Sequence, residues 1–271
     1  MAYPGRWRES TAGVPADLQT GHASRTPVFR RVLGAGRNAV ARVIECIPSA
    51  CPLCHGAASG GALCAGCHDD VVASMQSLAG RCSVCRLALD KQAGCPDCAC
   101  RPPAFDQVVA AFDYALPGDF LIRQFKAGRR FSHARFLAAM LARAVMEDGP
   151  QLPQDTILVP VPSSHASIMQ RGFNPAAEIA RYLAPRLSLP CRPGLLVRNH
   201  EGGRQTHLPR AQRMRQASGL YTCTASVGGA TVAVVDDVLT TGSTLHGISL
   251  QLKAAGAVAV WGLVLARTPY R

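Results

Sequence analysis

Residues 232–244 read V-A-V-V-D-D-V-L-T-T-G-S-T, and the reading of this stretch decides the fold. Its start, 232–235, has the unbroken apolar character of a strand buried on both faces of a parallel sheet. Two adjacent carboxylates, Asp236 and Asp237, end the run, and a hydroxyl- and glycine-rich turn leads into a helical pattern over 243–255. Strand, acidic pair, turn and helix in that order place an anion site at the carboxyl edge of an α/β sheet. Gly242 lets the backbone approach an anion through dihedrals that a side chain forbids. The amides of Thr240, Thr241, Gly242, Ser243 and Thr244 open the helix, where unpaired N–H groups and the positive dipole end favour phosphate. Their hydroxyls add neutral donors. Asp236 and Asp237 repel that phosphate, and as acceptors suit sugar hydroxyls or a hydrated divalent cation. The plain alternative is a βα turn in which Asp and Thr cap a helix. One cap needs one such residue, whereas six of the nine positions over 236–244 are Asp, Thr or Ser.

The stretch resembles the phosphoribosyl-diphosphate signature of type I phosphoribosyltransferases. That resemblance names a ligand and leaves the acceptor open.

The remaining 271-residue chain must therefore supply an open sheet. Its 48% hydrophobic and 17% charged content exclude a disordered protein. No apolar run approaches the roughly 18 residues that span a bilayer, and the start M-A-Y-P-G-R-W-R lacks the apolar core of a secretory signal. A cytoplasmic protein is expected. The net charge of +12 comes from 26 arginines and three lysines. Such a balance favours polyanionic partners, although Arg-for-Lys usage in a GC-rich genome gives the same count.

Twelve cysteines in such a chain point to metal ligation rather than disulfides. Cys51, Cys54, Cys64 and Cys67 recur, displaced by 31 residues, as Cys82, Cys85, Cys95 and Cys98. Each C-x-x-C is a knuckle whose two thiolates face one ion, and two knuckles complete a tetrahedral structural Zn²⁺ site. Sequential pairing, one ion per repeat, is preferred; interleaved ligation or a single occupied site are the alternatives. His55 and His68 adjoin knuckles as substitute ligands, and Cys46, Cys100, Cys191 and Cys223 fall outside the repeat.

Three divisions follow: a flexible Arg- and Gly-rich extension over 1–37, a short helix and double zinc ribbon over 38–101, and an α/β domain over 104–271. In the last, strands are expected at 107–114, 156–161 and 258–266, with helices at 117–125, 134–146 and 176–183. Lys126, at a basic helix end, either complements the dipole or serves the site as a rare lysine. The loop P-V-P-S-S at 160–164 follows a strand, so Ser163 and Ser164 are candidates for a second anion, and Arg171 is a candidate phosphate clamp. Over 198–215 five arginines and two histidines face one acid, Glu201. Arg204, Arg210 and Arg213 belong to this loop, which either folds over a pyrophosphate or lies along a nucleic acid.

Two C-x-x-C pairs per repeat, then F-K-A-G-R, P-V-P, R-G-F-N, R-Q-T and V-V-D-D-V-L-T-T-G-S-T, occur in this order. Together they resemble the ComF family, which includes the GntX-like proteins, over about residues 38–271. The resemblance implies a type I phosphoribosyltransferase-like open parallel sheet behind a zinc ribbon. It links the chain to natural competence, single-stranded DNA and DNA-processing partners. It assigns Asp236 and Asp237 to the ribose hydroxyls of phosphoribosyl diphosphate bound with Mg²⁺, Thr240 to Thr244 to its 5-phosphate, and Ser163 to pyrophosphate. The chain departs from the family at Pro175 and Gln216. Three readings stand: a phosphoribosyltransferase with an unknown acceptor, a DNA-associated competence factor that keeps the pocket, and a zinc-ribbon adaptor.

Overall fold

The computed structural model describes residue 43 and residues 46–76, 80–89, 94–128, 130–147, 149, 151–199 and 219–270. The extension over 1–37, and Arg204, Arg210 and Arg213, lie outside the described residues. Within the compact unit Glu45–Arg271, the first repeat carries β1 (Pro48–Ala50), β2 (Ala57–Ser59) and α1 (Ala65–Ala73). The second ends in α2 (Pro96–Cys100). Then come β3 (Gln107–Asp113), α3 (Gly118–Lys126), a 3-10 turn (Phe131–His133), α4 (Ala134–Glu147), β4 (Ile157–Pro160), α5 (His165–Arg171) and α6 (Pro175–Leu187). The chain closes with β5 (Leu196–Arg198), β6 (Tyr221–Cys223), β7 (Thr231–Leu239), α7 (Ser243–Ala254) and β8 (Ala259–Arg267).

β3, β8, β7 and β4 form one parallel sheet in that order, and β5 and β6 form a separate antiparallel ribbon. The open parallel sheet with flanking helices, preceded by a cysteine-rich segment, is thus present as expected. Successive strand residues face opposite ways, and the apolar runs divide accordingly. Ala233, Val235, Leu263 and Leu265 join α3, α4 and α6 in one core layer. Val232, Val234, Val260 and Val264 join α7 and the ribbon residues Leu196 and Tyr221 in the other. A Cβ at Gly262 would stand 2.5 Å from Leu245 Cδ2, so glycine there lets α7 seat on β8.

One boundary differs in a way that matters. β7 does not stop at Val235 but continues to Leu239, because its ladder with β8 runs on through Asp236↔Val264 and Leu239↔Arg267. The acidic pair is therefore part of a strand, with one carboxylate on each face. The ribbon β5–β6 and the β1–β2 pair left no readable period, being three residues each. Among the described residues no helix is long and apolar enough to cross a membrane.

Candidate functional site

Asp237 shares its face with Val235, on the side of α3. The buried stripe Leu121, Ile122 and Phe125 fixes that helix, so its last residue, Lys126, reaches the strand end. Lys126 Nζ lies 2.8 Å from Asp237 Oδ2, a partly buried pair that the sequence left as one of two options for this lysine. Asp236 faces the other way, and its Oδ1 accepts the Asp237 N–H at 2.8 Å. Burial and the charge of Asp237 raise the Asp236 carboxyl to about 7, against the opposing pull of that N–H and of Lys126. On this side the ribbon brings in Tyr221, whose phenol is raised by burial, lowered by the Arg198 charge and raised by that of Asp236. Arg198 Nη1 stands 3.3 Å from Tyr221 Oη.

The turn after β7 has the geometry of an anion cradle. Gly242 is the N-cap of α7 with φ of 75° and has no side chain with which to cap the helix. A Cβ at Gly242 would also press on the Phe105 ring at 3.3 Å, so both backbone and space demand glycine. Thr241 Oγ1 and Ser243 Oγ are 2.7 Å apart. Thr240 is exposed, while Thr241, Ser243 and Thr244 are partly buried. Thr241 Oγ1 also accepts the Ser243 N–H at 3.4 Å, so one hydroxyl turns onto the helix start as the capping alternative requires, and the others stand around it.

The P-V-P-S-S loop runs off the end of β4 beside β7. Val161 N donates to Val235 O at 2.9 Å, which sets Pro162 and Ser163 next to the strand end that bears Asp236. Asn174 knits the loop to α6: its Oδ1 accepts from Ser163 Oγ (3.0 Å) and Ala176 N (3.1 Å), and its Nδ2 donates to Val161 O (3.0 Å). Ser164 Oγ caps α5, accepting from Ser167 N at 3.2 Å. Arg171 ends that helix, partly buried, just before Gly172 with φ of 86°.

An open cleft of about 470 Å³ adjoins the turn, lined by Tyr114, Lys126, Asp237, Thr240 and Thr268 and also by Asp97 of the second cysteine repeat. Tyr114, Tyr221, Asp97 and the buried Arg267 were not singled out from the sequence. Arg267 had one signal, a charge closing an otherwise apolar strand.

The cysteines converge as two groups, Cys51, Cys54, Cys64 and Cys67, and Cys82, Cys85, Cys95 and Cys98. Within each, the sulfurs lie within 4.8 Å of one another, so pairing is sequential. Three separations are 3.7, 3.5 and 3.8 Å. A tetrahedron of Zn–S bonds of about 2.3 Å has edges of about 3.8 Å, whereas a disulfide is near 2.05 Å. Each group is therefore able to hold a structural zinc ion, with no need of His55 or His68. In the first group burial opposes ionisation of Cys51, yet backbone N–H groups lower it to about 6. Hydrogen bonds to Cys54 and Cys64 push Cys67 up to about 12.

A parallel sheet with an acidic, hydroxyl-rich loop at its carboxyl edge, joined to two four-cysteine groups, defines the class of protein. No protein-family model matches the chain. Competence protein F of Haemophilus influenzae is 32% identical over 212 residues, covering 75% of this chain and 90% of that protein. DNA utilization protein YhgH of Salmonella typhimurium is 32% identical over 208 residues, 70% of this chain and 91% of that protein. The chain belongs to this Competence protein F and YhgH family. Among solved structures, the hypoxanthine phosphoribosyltransferase of Staphylococcus aureus is a remote likeness, with 15% identity, 51% of this chain and 62% of that one covered, and a TM-score of 0.31.

Proposed function

We propose that the protein binds phosphoribosyl diphosphate with Mg²⁺ at 236–244 and serves DNA uptake or the handling of single-stranded DNA. The observation that carries the ligand is the glycine-started helix α7, whose N-cap has no side chain, directly behind a two-carboxylate strand end. In this reading the amides and hydroxyls over 240–244 take the 5-phosphate. Asp236 and Asp237 accept from the ribose hydroxyls. Ser163, Ser164 and Arg171 face the pyrophosphate, where Ser164 gives its amide side because its oxygen already caps α5. The donor set fits Mg²⁺, since of two adjacent carboxylates Asp236 is raised by burial and by the charge of Asp237, and a cation relieves both. The ion when bound supplies positive charge to the pyrophosphate. Lys126 holds Asp237 aimed across the strand end through their 2.8 Å ion pair.

Isothermal titration of phosphoribosyl diphosphate with Mg²⁺ tests this. Heat is expected from the wild type and none from Asp236→Ala/Asp237→Ala; equal heats from both would remove the assignment. The names of the relatives support a DNA role, as does the net charge of +12. The basic residues Arg204, Arg210 and Arg213 are its proposed contacts. Single-stranded DNA binding is then expected to weaken steeply with salt and with loss of these arginines, and a salt-independent affinity speaks against it. The cleft beside Asp237 favours a second reading, transfer of the phosphoribosyl group to an acceptor seated there. Pyrophosphate release across candidate acceptors decides it. Both four-cysteine groups are proposed to hold Zn²⁺, and metal analysis is expected to find two ions per chain.

A further inference from the structure

Arg267 is the largest of the fully buried side chains, at 2% exposure. A buried guanidinium is tolerated only when its donors are met, and here they are met from two directions. Toward the second cysteine group, Nε donates to Cys85 O at 2.9 Å and Nη2 to Asp97 Oδ2 at 2.7 Å. Cys85 belongs to that group, and Asp97 lies between two more of its members, Cys95 and Cys98. Toward the turn, Nη1 donates to Thr240 O at 2.6 Å, Leu239 O at 3.3 Å and Thr268 O at 2.7 Å. A peptide unit is planar with its C=O and N–H opposed. Leu239 O also accepts the Thr268 N–H at 2.9 Å along the strand ladder, so the Thr240 oxygen is the one drawn onto Arg267, which turns the Thr241 N–H the other way. The first cysteine group has a different tie, Gln124 Nε2 to Pro52 O at 3.1 Å.

We propose that Arg267 is a positioning residue through which metal in the Cys82–Cys98 group sets the amides of the phosphate loop. The inference rests on reading 236–244 as that loop. With metal bound, the Cys85 carbonyl and α2 are held, and the planar fork satisfies both sides at once. Without it, the partners on the cysteine side lose their anchor, and the fork no longer holds the loop oxygens. By linkage, a phosphate ligand in the loop must in turn tighten metal at the second group, and not at the first.

The test uses the full-length protein loaded with zinc, in wild type and in Cys54→Ser/Cys67→Ser, which retains only the second group. Amide hydrogen exchange over 239–244 is followed as a chelator withdraws metal, with α4 amides as internal reference. Loss of the second metal is expected to speed loop exchange about tenfold relative to α4. A loop that stays unchanged, or rises only in step with α4, overturns the proposal. In cobalt(II)-loaded Cys54→Ser/Cys67→Ser, ribose 5-phosphate is expected to shift the ligand-field spectrum and slow metal release. Adding Arg267→Lys, which keeps charge and loses the fork, is expected to abolish both effects; their persistence overturns it. Should the Arg267→Lys protein not fold, the exchange measurement decides by itself. Failure of wild type to bind ribose 5-phosphate counts against the phosphate reading, and the exchange measurement still judges the coupling.

Discussion

The first cysteine repeat lies against one face of the sheet and the second against the other, although their spacings are identical. Leu53, Ala62 and Leu63 of the first lean on the layer of α3, α4 and α6 as partly buried neighbours, and Cys54 is exposed. In the second, Cys82, Cys85 and Leu87 are core residues themselves, packed with Phe105 beneath α7. Arg81 joins the two repeats. It donates to Ser74 O (2.7 Å) and Met75 O (2.9 Å) behind the first, to Arg86 O (3.0 Å) in the second, and forms a two-pronged pair with Asp113 at the end of β3. A tandem repeat thus provides one ligand geometry twice, while the surface each copy meets decides what enters the core: Val71 of α1 from the first repeat, but the ligands Cys82 and Cys85 themselves from the second.

The largest expected effect separates the two copies directly. Cys85→Ser is expected to keep a cooperative thermal transition but with Tm lower by about 15 °C, because the metal-held knuckle is part of the core. Cys54→Ser should keep one, with Tm lower by about 5 °C. Thermal denaturation with metal quantification checks this, and equal losses would erase the distinction. Next, Arg81→Ala strands a partly buried carboxylate at Asp113 and is expected to cost about 3–5 kcal/mol in denaturant unfolding. A cost under about 1 kcal/mol would mean that Asp113 reaches water and the joint between repeats is slight. The smallest effect concerns the tie of the first repeat. Gln124→Ala, which removes the bond to Pro52 O, should lower stability by about 1 kcal/mol or less, and a larger loss would mean that this bond holds more of the first repeat than one neutral pair.

Much of the site was readable because its signals are local. The acidic pair, the left-handed Gly242 and the start of α7 follow from adjacent residues, as do the Asn174-Pro175 helix start and the paired knuckles. The extension of β7 through Asp236 and Asp237 was not readable, since carboxylates do not advertise a strand and only the ladder with β8 keeps them in one. The Lys126–Asp237 pair was half readable: a rare lysine at a helix end marked the residue, and nothing local marked its partner. Tyr114, Tyr221 and Asp97 carry no pattern at all, because a cleft lining is assembled from separate segments.

By itself the sequence determined the alternating burial of the parallel strands, the loop chemistry suited to a phosphorylated sugar, and two complete sets of four thiolates. Each depends on spacing within a few residues, where backbone period and side-chain type leave little freedom. Only the tertiary structure decided which face each repeat covers, that Lys126 meets Asp237, and that Arg267 stands between the second thiolate group and the turn after β7. Those contacts join residues far apart in the chain, and the packing of helices and knuckles on the sheet, rather than any local preference, brings them within hydrogen-bond reach.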